Sequence, residues 1–112
     1  MIKMKNQYKL GSNGNYGRIK REQELKKTGS EIDEAVKKNE YFYAIDLIDG
    51  TGYLRGKGTA QNNMLGRLIS VYNQAKKYFT ETKDIHSLEI LRIKKDLLSE
   101  KYSSLSLEDR LV

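Results

Sequence analysis

Cysteine, proline and tryptophan are absent from the 112 residues, and histidine occurs once. Without cysteine there can be no disulfide framework, thiolate nucleophile, zinc knuckle or iron–sulfur cluster. A single histidine excludes His-rich metal sites and any relay between two histidines. Apolar runs are only a few residues long, so no membrane span and no secretory leader is expected, and a cytoplasmic location follows as the expectation. The missing proline removes the strongest helix breaker and suits long helices. No cofactor or metal is expected.

Charged residues make up 32% of the chain and hydrophobic ones 38%, with a mean hydropathy of -0.74. That is polar for a globular protein, yet too rich in Leu, Ile and Tyr for a wholly disordered one. The net charge of +6 is unevenly placed. Residues 1–28 hold eight cations against Glu22 and Glu24, a net of +6. Residues 29–49 come to -4, residues 50–80 to +5 with no acid at all, and residues 81–112 to -1. Two basic blocks point to a polyanionic partner, because each phosphate neutralised releases a counterion. Lysine-rich surfaces also serve solubility, and the acidic block can pair with a basic one inside the fold.

Residues 1–28 read as a basic flexible arm. Gly11-Ser12-Asn13-Gly14-Asn15-Tyr16-Gly17 is turn-rich, and its glycines make regular structure entropically costly. A helix is open to Arg18–Thr28, but only Ile19 and Leu25 supply an apolar stripe. Gly29-Ser30 breaks that run, and Ser30-x-x-Asp33 resembles a capping box with Asp in place of Glu. Residues 29–112 read as a small, mostly helical domain. In Tyr41–Ile48 the aromatic and β-branched content, followed by Asp49-Gly50-Thr51-Gly52, suggests a strand entering a hairpin. Tyr41, Ala44, Ile45 and Ile48 equally form a helical i, i+3, i+4, i+7 stripe that so short a run does not exclude, but the next apolar pair, Tyr53-Leu54, lies at hairpin distance and tips the reading towards a strand.

The C-terminal half is clearer. Thr59 can cap a helix from Ala60 to Phe79 whose Ala60, Met64, Leu68, Val71, Tyr72, Ala75 and Phe79 share a face. Asp84 can cap a second helix to Tyr102, with Ile85, Leu88, Leu91 and Leu98 on one stripe and Ile90, Ile93 and Leu97 beside it. The 41–54 segment is the simplest cover for so wide an arc. Ser106-x-x-Asp109 can open a last short turn. The expected fold is mainly α, an antiparallel helix pair packed on a short middle segment, with an α+β alternative if that segment is a β-hairpin.

Tyr16-Gly17-Arg18-Ile19-Lys20 and Tyr53-Leu54-Arg55-Gly56-Lys57 repeat the pattern Tyr-x-Arg-x-Lys among glycines. In an extended segment these alternate residues share one face, so that a ring could stack on a base while Arg and Lys hold flanking phosphates. The same pattern arises by coincidence in a chain rich in Tyr and Lys. Gly56-Lys57 lacks the first glycine and the Ser/Thr of a phosphate loop, and Gly50-Thr51-Gly52 lacks the third glycine of a dinucleotide fingerprint. Asp84, His86 and Ser87 are close in sequence, which is not a triad geometry. Asp46 and Asp49 read more simply as turn acids than as metal ligands. Enzymatic activity is therefore not expected.

Two functions remain. The first is non-enzymatic nucleic-acid binding, mainly electrostatic and weakly sequence-specific. It would use Lys3, Lys5, Lys9, Tyr16, Arg18, Lys20 and Arg21 of the arm, Tyr53, Arg55 and Lys57 of the loop, and Arg67, Lys76 and Lys77 beyond it. RNA and DNA are equally compatible. The second is a small protein–protein interaction module, or a self-associating one, using the Tyr-rich segment or the wide face of the last helix. Its size and lysine content resemble small proteins of phages and mobile elements, which implies an inhibitor, an adaptor or a complex subunit. Nothing in the chain points to a membrane partner.

Overall fold

A computed structural model describes residues 10–112, with side chains from Lys20 onward apart from Arg21. The expectations that rest on Met1–Lys9 lie outside the described residues. The elements are α1 (Leu10–Lys37), α2 (Tyr41–Gly50), a 3₁₀ turn (Tyr53–Arg55), α3 (Thr59–Glu81), α4 (Ile85–Lys101), a second 3₁₀ turn (Ser103–Leu105) and α5 (Leu107–Arg110). No strand occurs among the described residues. The chain divides into two compact units, residues 1–31 and 32–112, and the boundary falls within α1.

α1 differs from its sequence reading. Gly11–Gly17 and Gly29-Ser30 both lie inside the helix, so neither is a break, and Ser30 is not a cap. Glycine costs about 1 kcal/mol in a helix relative to alanine and does not forbid one. With no proline among these residues, nothing removes the i to i−4 hydrogen bonds.

The second unit is built around α3. Met64, Leu68, Val71, Tyr72, Ala75 and Phe79 of the expected face are buried, Leu65 joins them, and Ala60 is only half-buried at the helix start. α2 and α4 both pack against α3, and so does the loop containing the first 3₁₀ turn. At one end, Tyr41 and Phe42 from the start of α2 meet Phe79 from the end of α3. Their ring centroids are 5.8 and 5.3 Å from that of Phe79. At the other end, Gln61 Nε2 donates to the Leu54 carbonyl at 3.0 Å. Asp46 pairs with Lys94 and Asp49 with Lys101, so α2 and α4 run parallel, each antiparallel to α3. The result is an up-down-up three-helix bundle. Ile32 and Ala35 of α1 are buried in this unit's core, and Leu107 and Leu111 anchor the C-terminal segment.

The 41–54 segment is a helix followed by a 3₁₀ turn, which corrects the hairpin expectation. Tyr41, Ala44, Ile45 and Ile48 are buried, whereas strand alternation would set Ile45 and Ile48 on opposite faces. A helical stripe facing α3 buries four side chains at once. A two-stranded hairpin of this length offers less apolar cover and is marginal alone.

Short turns fix the helix order. Asn39 (φ 61°) and Lys83 (φ 58°) end α1 and α3 in the left-handed region. Glu40 N donates to the Ala35 carbonyl and Asp84 N to that of Phe79, both at 2.8 Å. These are Schellman-type closures that satisfy the last carbonyls of each helix. Asp84 then caps α4 as expected, accepting from Ser87 N at 3.0 Å. Thr59 does not cap α3. It is the first helical residue, and Gly58 (φ 82°) precedes it as the cap position. α5 follows Ser106, matching the short turn read there.

Two stability measurements follow. Ile45→Ala and Ile48→Ala should each lower urea-unfolding stability by about 2–5 kcal/mol, since both side chains fill one core face. A large loss at only one of them contradicts α2. Lys83→Gly should raise stability by about 0.5–1 kcal/mol, because glycine occupies the left-handed position without a Cβ penalty.

Candidate nucleic-acid interface

The sequence-predicted cations are distributed over three places. Tyr16, Arg18, Lys20 and Arg21 lie in α1, where Lys20, Lys26 and Lys27 are exposed. Tyr53 and Arg55 lie in the first 3₁₀ turn, with Lys57 exposed in the loop behind it. Arg67, Lys76 and Lys77 lie on α3. Neither Tyr-x-Arg-x-Lys segment is extended: the first is α-helical and the second begins in a 3₁₀ turn. Residues two apart in a helix do not share a face, so the strand-like alignment of Tyr, Arg and Lys is lost in both.

The glycines around Arg55 are explained by backbone geometry. Gly52 (φ 78°) turns the chain out of α2 and Gly58 (φ 82°) turns it into α3, a region that L side chains rarely adopt. Between them Leu54 is plugged into the core at 1% exposure. Thr51 Oγ1 donates to the Ile48 carbonyl at 2.8 Å and accepts from Tyr53 N at 3.2 Å. The loop is thus fastened from within, leaving Arg55 and Lys57 on its outside.

Four cations of the second unit, Arg67, Arg92, Lys94 and Lys101, are held in ion pairs with its own acids. Arg67 Nη1 pairs with Asp33 Oδ1 at 3.0 Å, joining α3 to the end of α1. Lys94 and Lys101 of α4 each reach an α2 carboxylate at 3.0 Å. Arg92 bridges Glu89 and Asp96 on α4 itself. Lys76 donates to the Val112 carbonyl at 2.7 Å, and Arg67 and Lys76 lie on opposite sides of α3 at nine-residue spacing. Arg67, Lys76 and Lys77 therefore do not form one footprint. Among the described residues, Arg55 and Lys57 have no carboxylate at ion-pair distance. In this unit thirteen Lys and Arg face twelve Asp and Glu, a net of +1; residues 1–31 have eight against three, a net of +5.

Sequence reading missed the polar cluster where α2, the loop and α4 converge. The Asp49 carboxylate accepts from the Tyr102 hydroxyl and from Lys101 Nζ. Arg55 sits over the Tyr102 ring at 5.9 Å. Burial pushes the Asp49 carboxyl up. The Tyr102 and Lys101 hydrogen bonds and the charges of Lys101 and Arg55 outweigh that, leaving it below its ordinary value. Burial, then the bond to Asp49, raises the Tyr102 phenol. Once 41–50 is a helix, Asp46 and Asp49 share its side, and the signal is their opposition to Lys94 and Lys101. These acids are seam ties. His86 is exposed, and Asp84 and Ser87 are engaged with each other in the cap, with Ser87 Oγ donating to Asp84 Oδ2 at 2.7 Å.

α4 is covered only in part. Leu91 and Leu98 are buried, but Ile93 is 45% and Leu97 61% exposed, with half-buried Ile90 beside them. Ile85, read as a core position, is 78% exposed because it stands at the helix start outside the seam with α3. The middle segment covers the side of α4 next to Lys94 and Lys101, where Leu97 shares a groove with Ile45, Asp46 and Asp49, and leaves much of Ile93 and Leu97 exposed.

Among the described residues, no helix is long and apolar enough to cross a membrane. Comparisons with protein-family models, curated proteins and solved structures found no match.

The Asp49–Tyr102 bond has a pH signature. A raised phenol keeps its contribution intact below the ordinary tyrosine value of about 10, and that contribution is lost as pH climbs through the raised value. Tyr41 and Tyr72 are raised as well, chiefly by burial. Tyr102→Phe should therefore reduce, without abolishing, the alkaline fall in melting temperature between pH 8 and 11. An identical fall in the variant contradicts the bond's role.

Proposed function

We propose that this protein binds nucleic acid without catalysing a reaction, and that the basic residues of 1–31 carry the contact. The observation that supports the reading is the segregation of charge between the units. The second unit has nearly as many acids as cations and ties Arg67, Arg92, Lys94 and Lys101 to its own carboxylates, while residues 1–31 keep an excess of +5. A like-charged surplus on one segment is maintained at a cost in self-repulsion, and a polyanion relieves it by counterion release. Lys20, Lys26 and Lys27 are exposed along α1, and Arg18 and Arg21 belong to the same helix. Lys3, Lys5, Lys9 and Tyr16 belong to the same basic segment in sequence.

In the second unit, Arg55 and Lys57 are exposed loop cations without an ion-pair partner among the described residues and offer a smaller phosphate contact of their own. Arg67 is a seam residue first, because releasing it from Asp33 costs an existing ion pair. Contacts of this kind go mainly to phosphates, so recognition is electrostatic and weakly dependent on sequence.

The test is a five-site variant, Arg18→Gln, Lys20→Gln, Arg21→Gln, Lys26→Gln and Lys27→Gln, titrated with single-stranded RNA, single-stranded DNA and duplex DNA. Each phosphate contact contributes about 0.7–0.9 to the slope of log K against log salt, so the slope should shrink by about 2 or more. Lys38→Gln with Lys83→Gln, both in the second unit, should change it little. Equal slopes for wild type and the five-site variant contradict the proposal.

A further inference from the structure

The outer row of α4 is self-complementary. At 100° per residue, Ile90, Ile93 and Leu97 fall within about 60° of one another, on the side of α4 turned away from Leu91 and Leu98. Their three-then-four spacing is that of the a and d positions of a coiled coil, with Ile90 at a, Ile93 at d and Leu97 at the next a. Glu89 and Asp96 then occupy the g positions along one edge. Lys94 and Lys101 occupy the e positions along the other. One edge of the row therefore carries two acids, bridged by Arg92 beside them, and the other two lysines, each held by an α2 carboxylate, so the selection rests on the charges these partners leave uncompensated at close range. All four side chains reach solvent, with 56% and 57% of the acids and 28% and 40% of the lysines exposed.

We propose that this row is the contact face of a parallel, two-fold symmetric dimer in which α4 packs on α4 of a second copy. The charges select the orientation. A two-fold axis along the helix direction swaps the edges, setting Glu89 against Lys94 of the second copy and Asp96 against its Lys101. An antiparallel two-fold sets each edge against the same edge of the second copy, acid on acid and lysine on lysine, which is repulsive. The lysines need not leave α2, since an ammonium has three donors and each can hold its own Asp and one further carboxylate. His86 and Glu100 bound the row with polar side chains at the flanking d positions. The apolar contact is therefore about two turns long and the dimer is weak.

The experiment uses the full chain. Sedimentation equilibrium from about 10 µM to about 1 mM, the range in which small interfaces associate, should show a monomer–dimer equilibrium. Leu97→Glu should weaken it at least tenfold, and at 61% exposure this position can change without unfolding the protein, as circular dichroism will verify. Glu89→Lys with Asp96→Lys should also weaken it, by placing lysine against lysine, whereas Glu100→Leu should strengthen it by extending the row. In a chain without cysteine, His86→Cys should form an oxidised covalent dimer by itself. In the antiparallel arrangement residue 86 lies opposite residue 100 and does not cross-link alone. A monomer at every concentration, an equilibrium indifferent to Leu97→Glu or to the acid-to-lysine pair, or no cross-link with His86→Cys overturns the proposal. None of these positions lies in residues 1–31, so either result leaves the salt-slope test of nucleic-acid binding independent.

Discussion

The apolar face of α3 is the surface on which the second unit depends. No disulfide, proline-stiffened loop or covalent staple exists in this chain, so burial against one long helix must offset the entropy of ordering the rest. Ala75, at 0% exposure, lets neighbours approach the helix closely, while Met64, Leu68, Val71 and Phe79 continue the surface along its length. α2 and α4 lie on this face in parallel because the chain reverses twice, once through the glycine-flanked loop and once through the left-handed Lys83 turn. The loop contributes Leu54 to the same core, so the glycines on either side serve packing.

Electrostatics is organised around the seams that this packing creates. Asp46 with Lys94 and Asp49 with Lys101 tie the two helices that flank α3, and Arg67 with Asp33 ties α3 to the end of α1. Exposed pairs such as these contribute little stability individually, about 0–1 kcal/mol each. The helical body is near neutral by composition, these pairs hold some of its cations against its own acids, and most of the protein's surplus lies in residues 1–31. That asymmetry is the physical basis for proposing the first segment as the main nucleic-acid contact.

Much of the fold could be read from sequence where a helical stripe was long. Thr59–Glu81 carries seven buried positions at one periodicity, and Asp84 had both the residue type and the spacing of a cap. Tyr41–Ile48 was ambiguous because eight residues allow both periods, and the arbiter was tertiary: four side chains facing α3. The helical course of Gly11–Gly17 was hidden by local propensity, which is a weak guide when no residue forbids the helix. For the candidate site, the sequence pointed to the charge imbalance but not to which cations are spent. Arg67 looks free in a block without acids, yet its partner Asp33 lies thirty-four residues away. Lys76 and Lys77 are neighbours in sequence and point to different sides of α3. Such pairings follow from the packing of helices and leave no short-range signature.

The central claim is that residues 1–31 carry most of the contact with the polyanion, with only Arg55 and Lys57 of the second unit adding a smaller one. Amide hydrogen exchange with and without a single-stranded RNA of about twenty nucleotides, a length that spans several phosphate contacts, reads this residue by residue. The account predicts added protection concentrated in residues 10–31, a smaller effect around Arg55 and Lys57, and none along the Ile90–Leu97 row beyond that caused by protein concentration. Protection confined to α2 through α5, with residues 10–31 exchanging as in the free protein, would contradict it.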